Sequence, residues 1–330
     1  MDKAPASPGS KAFLRIEHLW VRKGGLRGHK WIVKDVSFEV KQGEFVAIIG
    51  PNGAGKTKLL EAIVGDRPYA GKISLYNHDL YLHPEHWLQH LGWIPSYNVL
   101  HDSLKAEQAL LQVAKLRLPG RSEESLKQRI QRLLGQLEFP EARRGAFIRD
   151  LSSGERKRLD LCAELITNPP LLILDEPTTN LDPDAERYLM ELLRNRSWGK
   201  HQAVLVVTHT LQSLYLCDRL LFMAKGRVRG EGSPERVLEQ LEGELENGDS
   251  GSNRMIGAKI LPGGLPNQRG IGYTDPVEDY ASRWANVYRK ARSYENEPLG
   301  IPPARQAAPG IPAASQRRAF RFRSKNWVHE

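Results

Sequence analysis

The stretch FVAIIGPNGAGKT, from Phe45 to Thr57, limits what this chain can fold into more than any other segment. Its apolar run is five residues long and ends in glycine, which suits a strand buried on both faces of a parallel sheet. The glycines that follow let backbone N–H groups turn inward around phosphate oxygens. The next segment, TKLLEAIVG, has helical spacing, and a helix N-terminus adds its dipole at the same place. Gly50, Pro51, Asn52, Gly53, Ala54, Gly55, Lys56 and Thr57 thus fill the whole spacing of a phosphate-binding loop. Lys56 is expected to reach the β- and γ-phosphates and the Thr57 hydroxyl to hold Mg²⁺. Lys58 either meets the α-phosphate or points to solvent.

Two later segments repeat the pattern of a short apolar run ending in chemistry. LLILDEP (Leu171–Pro177) leaves Asp175 and Glu176 at a strand's carboxyl end, where nucleotides bind in open α/β sheets. Asp175 suits a Mg²⁺ ligand, and Glu176 suits a base that polarises an attacking water. AVLVVTH places His209 at a third such end, where an imidazole can orient that water. LRIEHL, DVSFEV, KISLYN and RLLFM read as further strands, and a polar, helix-rich stretch spans 103–138. The expected fold is α/β with a predominantly parallel core.

The chain has 330 residues, which allows one large domain or one domain with an appendage. FVAII, LLIL and AVLVV are among its longest apolar runs, far below the roughly 18 residues of a membrane-spanning helix. No apolar stretch precedes Phe13, so no secretory signal is expected. Cys162 and Cys217 lack metal spacing and read as buried thiols in a reducing compartment. The net charge of +9 sits mostly in residues 251–330, with 13 Lys/Arg against 6 Asp/Glu. A nucleic-acid binder would spread that charge over the fold, so nucleic acid is not an expected partner.

The composition divides the chain into a loose N-terminus (1–11), a main domain (12–243) and a linker (244–274). A basic extension (275–330) follows. Its stripe Val277, Tyr280, Ala281, Trp284, Val287, Tyr288 and Ala291 predicts a helix over about 275–294. Asp275, Pro276 and Glu278 are placed to start that helix. RRAFRFR near the end mixes arginine with aromatics and suits anionic lipid headgroups.

LSSGERKRLDL (Leu151–Leu161) opens on a capping box of Ser152 and Glu155 and predicts a helix burying Leu159, Cys162, Ala163 and Ile166. GPNGAGKT, LSSGE, LLILDEP, TNLD and VTH, in that order over about residues 13–243, resemble an ATP-binding cassette (ABC) ATPase. The wording from LSSGE to TNLD looks most like the White-type subgroup. The resemblance implies a P-loop NTPase fold with an antiparallel β subdomain and a helical subdomain at about 97–150. It implies ATP and Mg²⁺ as ligands, and a signature made of Ser152, Ser153 and Gly154. It further implies a Walker B pair at Asp175 and Glu176, a D-loop at Asp182 and a switch histidine at His209.

In that family two cassettes pair head to tail, each signature closing over the other's ATP. The implied protein is the ATP-hydrolysing subunit that drives a membrane permease from the cytoplasmic face. The alternatives are a soluble ABC ATPase and a slow-turnover nucleotide switch. Two departures favour slow turnover. Ser96 stands where a glutamine usually holds Mg²⁺ and water, and Ser153 stands where a glycine is usual. Lys23 falls at the place of the adenine-stacking aromatic, with Trp20 and Trp31 as candidates.

Overall fold

The computed structural model describes residues 12–23, 30–179, 181–200, 202–247 and 283–287. The expected cap at Asp275–Glu278 and the RRAFRFR end lie outside these residues. The first half runs β1 (Ala12–Lys23), β2 (Lys30–Lys41), β3 (Phe45–Ile49), α1 (Lys56–Ile63), β4 (Tyr69–Leu75), β5 (His78–Asp79), α2 (Pro84–His90) and β6 (Leu91–Ile94). It continues α3 (Ala106–Arg117), α4 (Glu123–Gln136), α5 (Ser153–Leu165), β7 (Leu171–Asp175) and α6 (Pro183–Lys200). β8 (Ala203–Val207), β9 (Arg219–Ala224), β10 (Arg227–Gly232) and α7 (Pro234–Asn247) complete it. α7 carries regular structure four residues past the composition change at Gly243.

The strands form a four-stranded sheet, β2-β1-β4-β5, and a six-stranded sheet, β10-β9-β3-β8-β7-β6. The first is antiparallel throughout. In the second, β9, β3, β8, β7 and β6 are parallel neighbours and only β10 runs against β9. β3, β7 and β8 are buried along their whole length, as two-faced strands of a parallel sheet must be.

Period-2 alternation divides the core between the two faces of this sheet. Phe45, Ala47 and Ile49 of β3 join Leu172, Leu174, Val204, Val206 and Phe222 on the face covered by α3, α4 and α5. Val46 and Ile48 join Ile173, Leu205 and Leu221 on the face covered by α1 and the antiparallel sheet. Single strands therefore hold both layers together. A one-residue slip of any of them would exchange its two faces.

Residues 283–287 of the C-terminal stripe are helical and pack on this core. Trp284 and Val287 are buried, and Trp284 lies nearly parallel to Phe222 at 6.4 Å. Arg283 donates two hydrogen bonds, of 2.9 and 2.6 Å, to the Glu242 carboxylate on α7. Two residues of the predicted amphipathic face are thus covered by the chain's own domain.

Candidate functional site

The parallel register gathers the chemistry at one edge of the six-stranded sheet. Ile48 pairs with Val207, Asp175 with Val207 and Ile94 with Leu174. Gly50, Glu176, His209 and Ser96 each follow within two residues of a paired position. Strand ends in a parallel sheet point the same way, so segments far apart in sequence emerge side by side.

The loop between β3 and α1 takes its shape from its glycines. Gly50, Gly53 and Gly55 have φ of 147°, 80° and 102°, where a side chain is strained. A β-carbon on Gly50 would stand 1.9 Å from the Met223 carbonyl oxygen. On Gly55 it would stand 2.9 Å from that of Ile32. Gly55 caps α1 in the left-handed region. Asn52 and Gly53 are exposed at the tip, while Ala54, Gly55 and Lys56 are buried beneath it. The turn between β9 and β10 holds the loop from behind, since the Gly226 amide donates to the Ala54 carbonyl at 2.9 Å.

Lys56 turns its ammonium under the loop, donating to the carbonyls of Gly50 at 2.7 Å and Pro51 at 3.2 Å. Burial pushes its pKa down, against the pull of Glu176 and Asp175. Thr57 donates its hydroxyl to Asp175 at 3.3 Å. Asp175 is 1% exposed, and burial pushes its carboxyl up despite the Thr57 bond. A hydroxyl and a buried carboxylate are the hard oxygen donors that Mg²⁺ accepts alongside substrate phosphates. The pair therefore fits the metal. Among the described residues no group of three His, Cys, Asp or Glu side chains is placed to hold a metal by itself.

Glu176 and His209 meet at 2.8 Å between Oε1 and Nε2. Glu176 has φ 51°, a left-handed backbone that costs a non-glycine residue about 1 kcal/mol or more. Its amide donates to Val207 at 2.9 Å, which ties this kink to the strand carrying His209. The kink turns the carboxylate from the strand axis toward the imidazole.

At the start of α5, Ser152 accepts the Glu155 amide and Glu155 accepts the Ser152 amide, closing the predicted capping box. Against the upward push of burial, the Ser152 hydroxyl and amide both bond to the Glu155 carboxylate, which lowers its pKa. Ser153 is exposed. Gly154 faces Leu181, whose methyl would lie 3.1 Å from an added β-carbon. Asp182 is exposed and accepts the Ala185 amide at 2.9 Å, capping α6.

The structure gives several of the remaining candidates their own partners. Lys58 holds its ammonium in a 2.5 Å ion pair with Glu61. Glu61 also binds Arg67 at 2.7 Å, so the cluster is structural. Trp20 is 2% exposed and packs edge-on to Trp31 at 5.5 Å, so its faces are covered and it offers no stacking platform. Of the two tryptophans only Trp31 stays partly open, one residue from the Ile32 carbonyl that braces Gly55. Ser96 is exposed just beyond β6, and the residues that hold its loop come from α5. Lys157 donates to the Pro95 carbonyl at 2.7 Å, and Asp160 accepts the amides of Val99 and Leu100. Sequence reasoning missed both, because charged residues between apolar helix positions read as a solvated face.

Comparisons with known proteins agree with this geometry. A family profile described as ABC transporter matches residues 33–179. The Nod factor export ATP-binding protein I of Burkholderia orbicola is 36% identical over 216 residues, covering 64% of this chain and 69% of that protein. Its namesake in Rhizobium meliloti is 32% identical over 253 residues, covering 74% and 73%. The ABC transporter ATP-binding/permease protein Rv1747 of Mycobacterium tuberculosis is 36% identical over 201 residues. That match covers 60% of this chain but 23% of the relative, which is far longer. Among solved structures, an ATP-binding subunit of an ABC transporter superposes with TM-score 0.60 at 30% identity, covering 70% of this chain and 93% of that one. A cassette bound to ADP and phosphate, MJ0796, superposes with TM-score 0.63 at 24% identity, covering 67% and 98%. The α/β fold is therefore a shared one, and the chain belongs to the ABC transporter family as an ATP-binding component.

Proposed function

We propose that this chain binds MgATP on its phosphate loop, pairs with a second cassette and hydrolyses the nucleotide to drive a membrane permease. The contact that supports this most directly is Glu176 with His209, beside the Thr57–Asp175 pair. Gly50–Thr57 would wrap the phosphates, and Lys56 would exchange its loop carbonyls for phosphate oxygens. Mg²⁺ bound by Thr57 and Asp175, with Ser96 as a third candidate ligand, would neutralise phosphate charge. Glu176 would accept the proton of the attacking water, and His209 would hold Glu176 and contact the γ-phosphate. Ser152, Ser153 and Gly154, with Asp182, would face the nucleotide of the partner cassette. The aromatic platform for adenine is Trp31.

Glu176→Gln tests the chemistry. Hydrolysis should fall about a hundredfold or more while ATP binding persists, since only the base is lost. ATP should then convert the variant to a dimer in size-exclusion chromatography with light scattering. Retained hydrolysis, or a persistent monomer, would count against the proposal.

A slow-turnover switch is the second reading. It rests on Ser96, too short to replace a glutamine, and on Ser153, which adds a side chain at the helix start. Steady-state ATPase with and without the permease separates the two, and fast partner-independent turnover would rule this reading out. The White-type affinity remains a proposal carried by the wording from LSSGE to TNLD. The relatives include one ATP-binding/permease polypeptide and several separate ATP-binding proteins. A cytoplasmic position on the permease follows from the same proposal, and among the described residues no helix is long and apolar enough to cross a membrane. Anionic lipid contact would fall to the RRAFRFR end, because Trp284 and Val287 are occupied within the domain.

A further inference from the structure

Helix α5 carries a row of buried ionisable side chains that the nucleotide site does not use. Lys157, Asp160 and Glu164 are 6%, 4% and 7% exposed. Their spacing of three and four residues puts them on one helical face. All three hold backbone of one segment, β6 and the loop after it. Lys157 donates to the Pro95 carbonyl at 2.7 Å. Asp160 accepts the Val99 and Leu100 amides. Glu164 accepts the Trp93 amide at 3.2 Å, and its other oxygen holds Arg117 of α3 at 2.5 Å. Burying three such groups costs free energy that apolar side chains would not incur. Lys157 also feels the charges of Asp160, Asp175 and Glu176.

We propose that Lys157 and Asp160 are positioning residues that lock the loop 95–100 to helix α5, so that this loop and the helix start at Ser152–Gly154 move as one body. The loop cannot shift alone without stripping the Lys157 ammonium and the Asp160 carboxylate of their buried partners. Each loss leaves a buried polar group unpaired, which costs more than the bond itself supplied. Ser96 is held in place by this grip on its neighbours, and its own side chain need not reach across the site. Motion of the loop is passed to the signature through the helix.

Hydrogen exchange on the full chain, read by mass spectrometry, tests the coupling without reference to turnover. In Lys157→Met and Asp160→Ala, amides in 95–100 and in 152–156 should both exchange about tenfold faster, the equivalent of one charge-assisted hydrogen bond. Asp160→Asn keeps an acceptor oxygen and Lys157→Arg keeps a donor, so both should stay within about threefold of the wild type. Faster exchange in 95–100 with 152–156 unchanged would overturn the proposal, as would no change in either. Circular dichroism identifies an unfolded variant, and the two conservative variants then decide.

The kinetic arm rests on the proposed ATPase function. Lys157→Met should lower kcat about tenfold with KM for ATP within about twofold, a split that general loosening of the domain would not give. A wild-type chain that neither binds nor hydrolyses ATP would defeat the proposed function and leave the exchange arm standing. An active wild type with unaltered kcat in Lys157→Met would defeat the coupling alone.

Discussion

Gly226 shows how much a single backbone position contributes to the phosphate loop. Its φ is 82°, its carbonyl accepts the Lys34 amide at 2.7 Å, and its amide supports Ala54. A β-carbon there would fall 2.0 Å from the Ile32 carbonyl oxygen, and its nearest neighbours are all backbone atoms of Ile32 and Val33, with no flexible side chain to yield. Gly226→Ala should therefore destabilise the fold by about 3 kcal/mol, from conformational strain and steric conflict together. Urea unfolding measures this, and a loss under about 1 kcal/mol would show that the turn relaxes. ATP affinity should fall in parallel, because the same turn supports the loop. Glu176 is one of several non-glycine residues with positive φ, and its strain lies at the proposed base, where such conformations concentrate.

At the scale of elements, α5 joins local rules to long-range ones. The capping box and the buried stripe of Leu159, Cys162, Ala163 and Ile166 were legible in LSSGERKRLDL, because a cap needs only neighbours and a helical face needs only its period. The burial of Lys157 and Asp160 was not legible. Their partners lie some 60 residues earlier, and nothing in the local pattern distinguishes a charge meant for water from one meant for a buried carbonyl.

Asp160 makes that burial measurable. Burial pushes its carboxyl up to about 7, against the opposing charge of Lys157, and Glu164 adds to the rise. Between about pH 4 and pH 7 the folded chain keeps a proton that the unfolded chain has lost. Stability from this group is therefore full in acid and falls as pH rises through that window. Asp160→Asn removes the fall. Relative to wild type, its unfolding free energy should improve by on the order of 2 kcal/mol from pH 5 to pH 8. Equal differences at the two pH values would contradict this.

For the whole molecule, the segment 283–287 decides how far the domain extends. Composition places a linker after Gly243 and an extension beyond it, yet Trp284 and Val287 lie in the same core as Phe45 and Phe222. Trp284→Ala should cost about 3 kcal/mol, as truncations of buried tryptophan do, and lower Tm by roughly 6–12 °C for a domain of this size. Differential scanning calorimetry of that variant, and of a chain ending at Asn247, checks it. An unchanged Tm in both would return the stripe to an external partner.

The sequence by itself determined the pieces whose causes are local. These are the glycine loop with its left-handed positions, the two-faced strands, the capping box at Ser152, and the carboxylates and histidine at strand ends. Each depends on residues within a turn or a strand of one another. The tertiary structure alone decided what those pieces touch. It brought Glu176 to His209, paired Lys58 with Glu61, covered both faces of Trp20, and set Lys157 and Asp160 against the 95–100 loop. Such contacts follow from sheet register and helix packing, which the chain settles by burying its whole apolar surface at once.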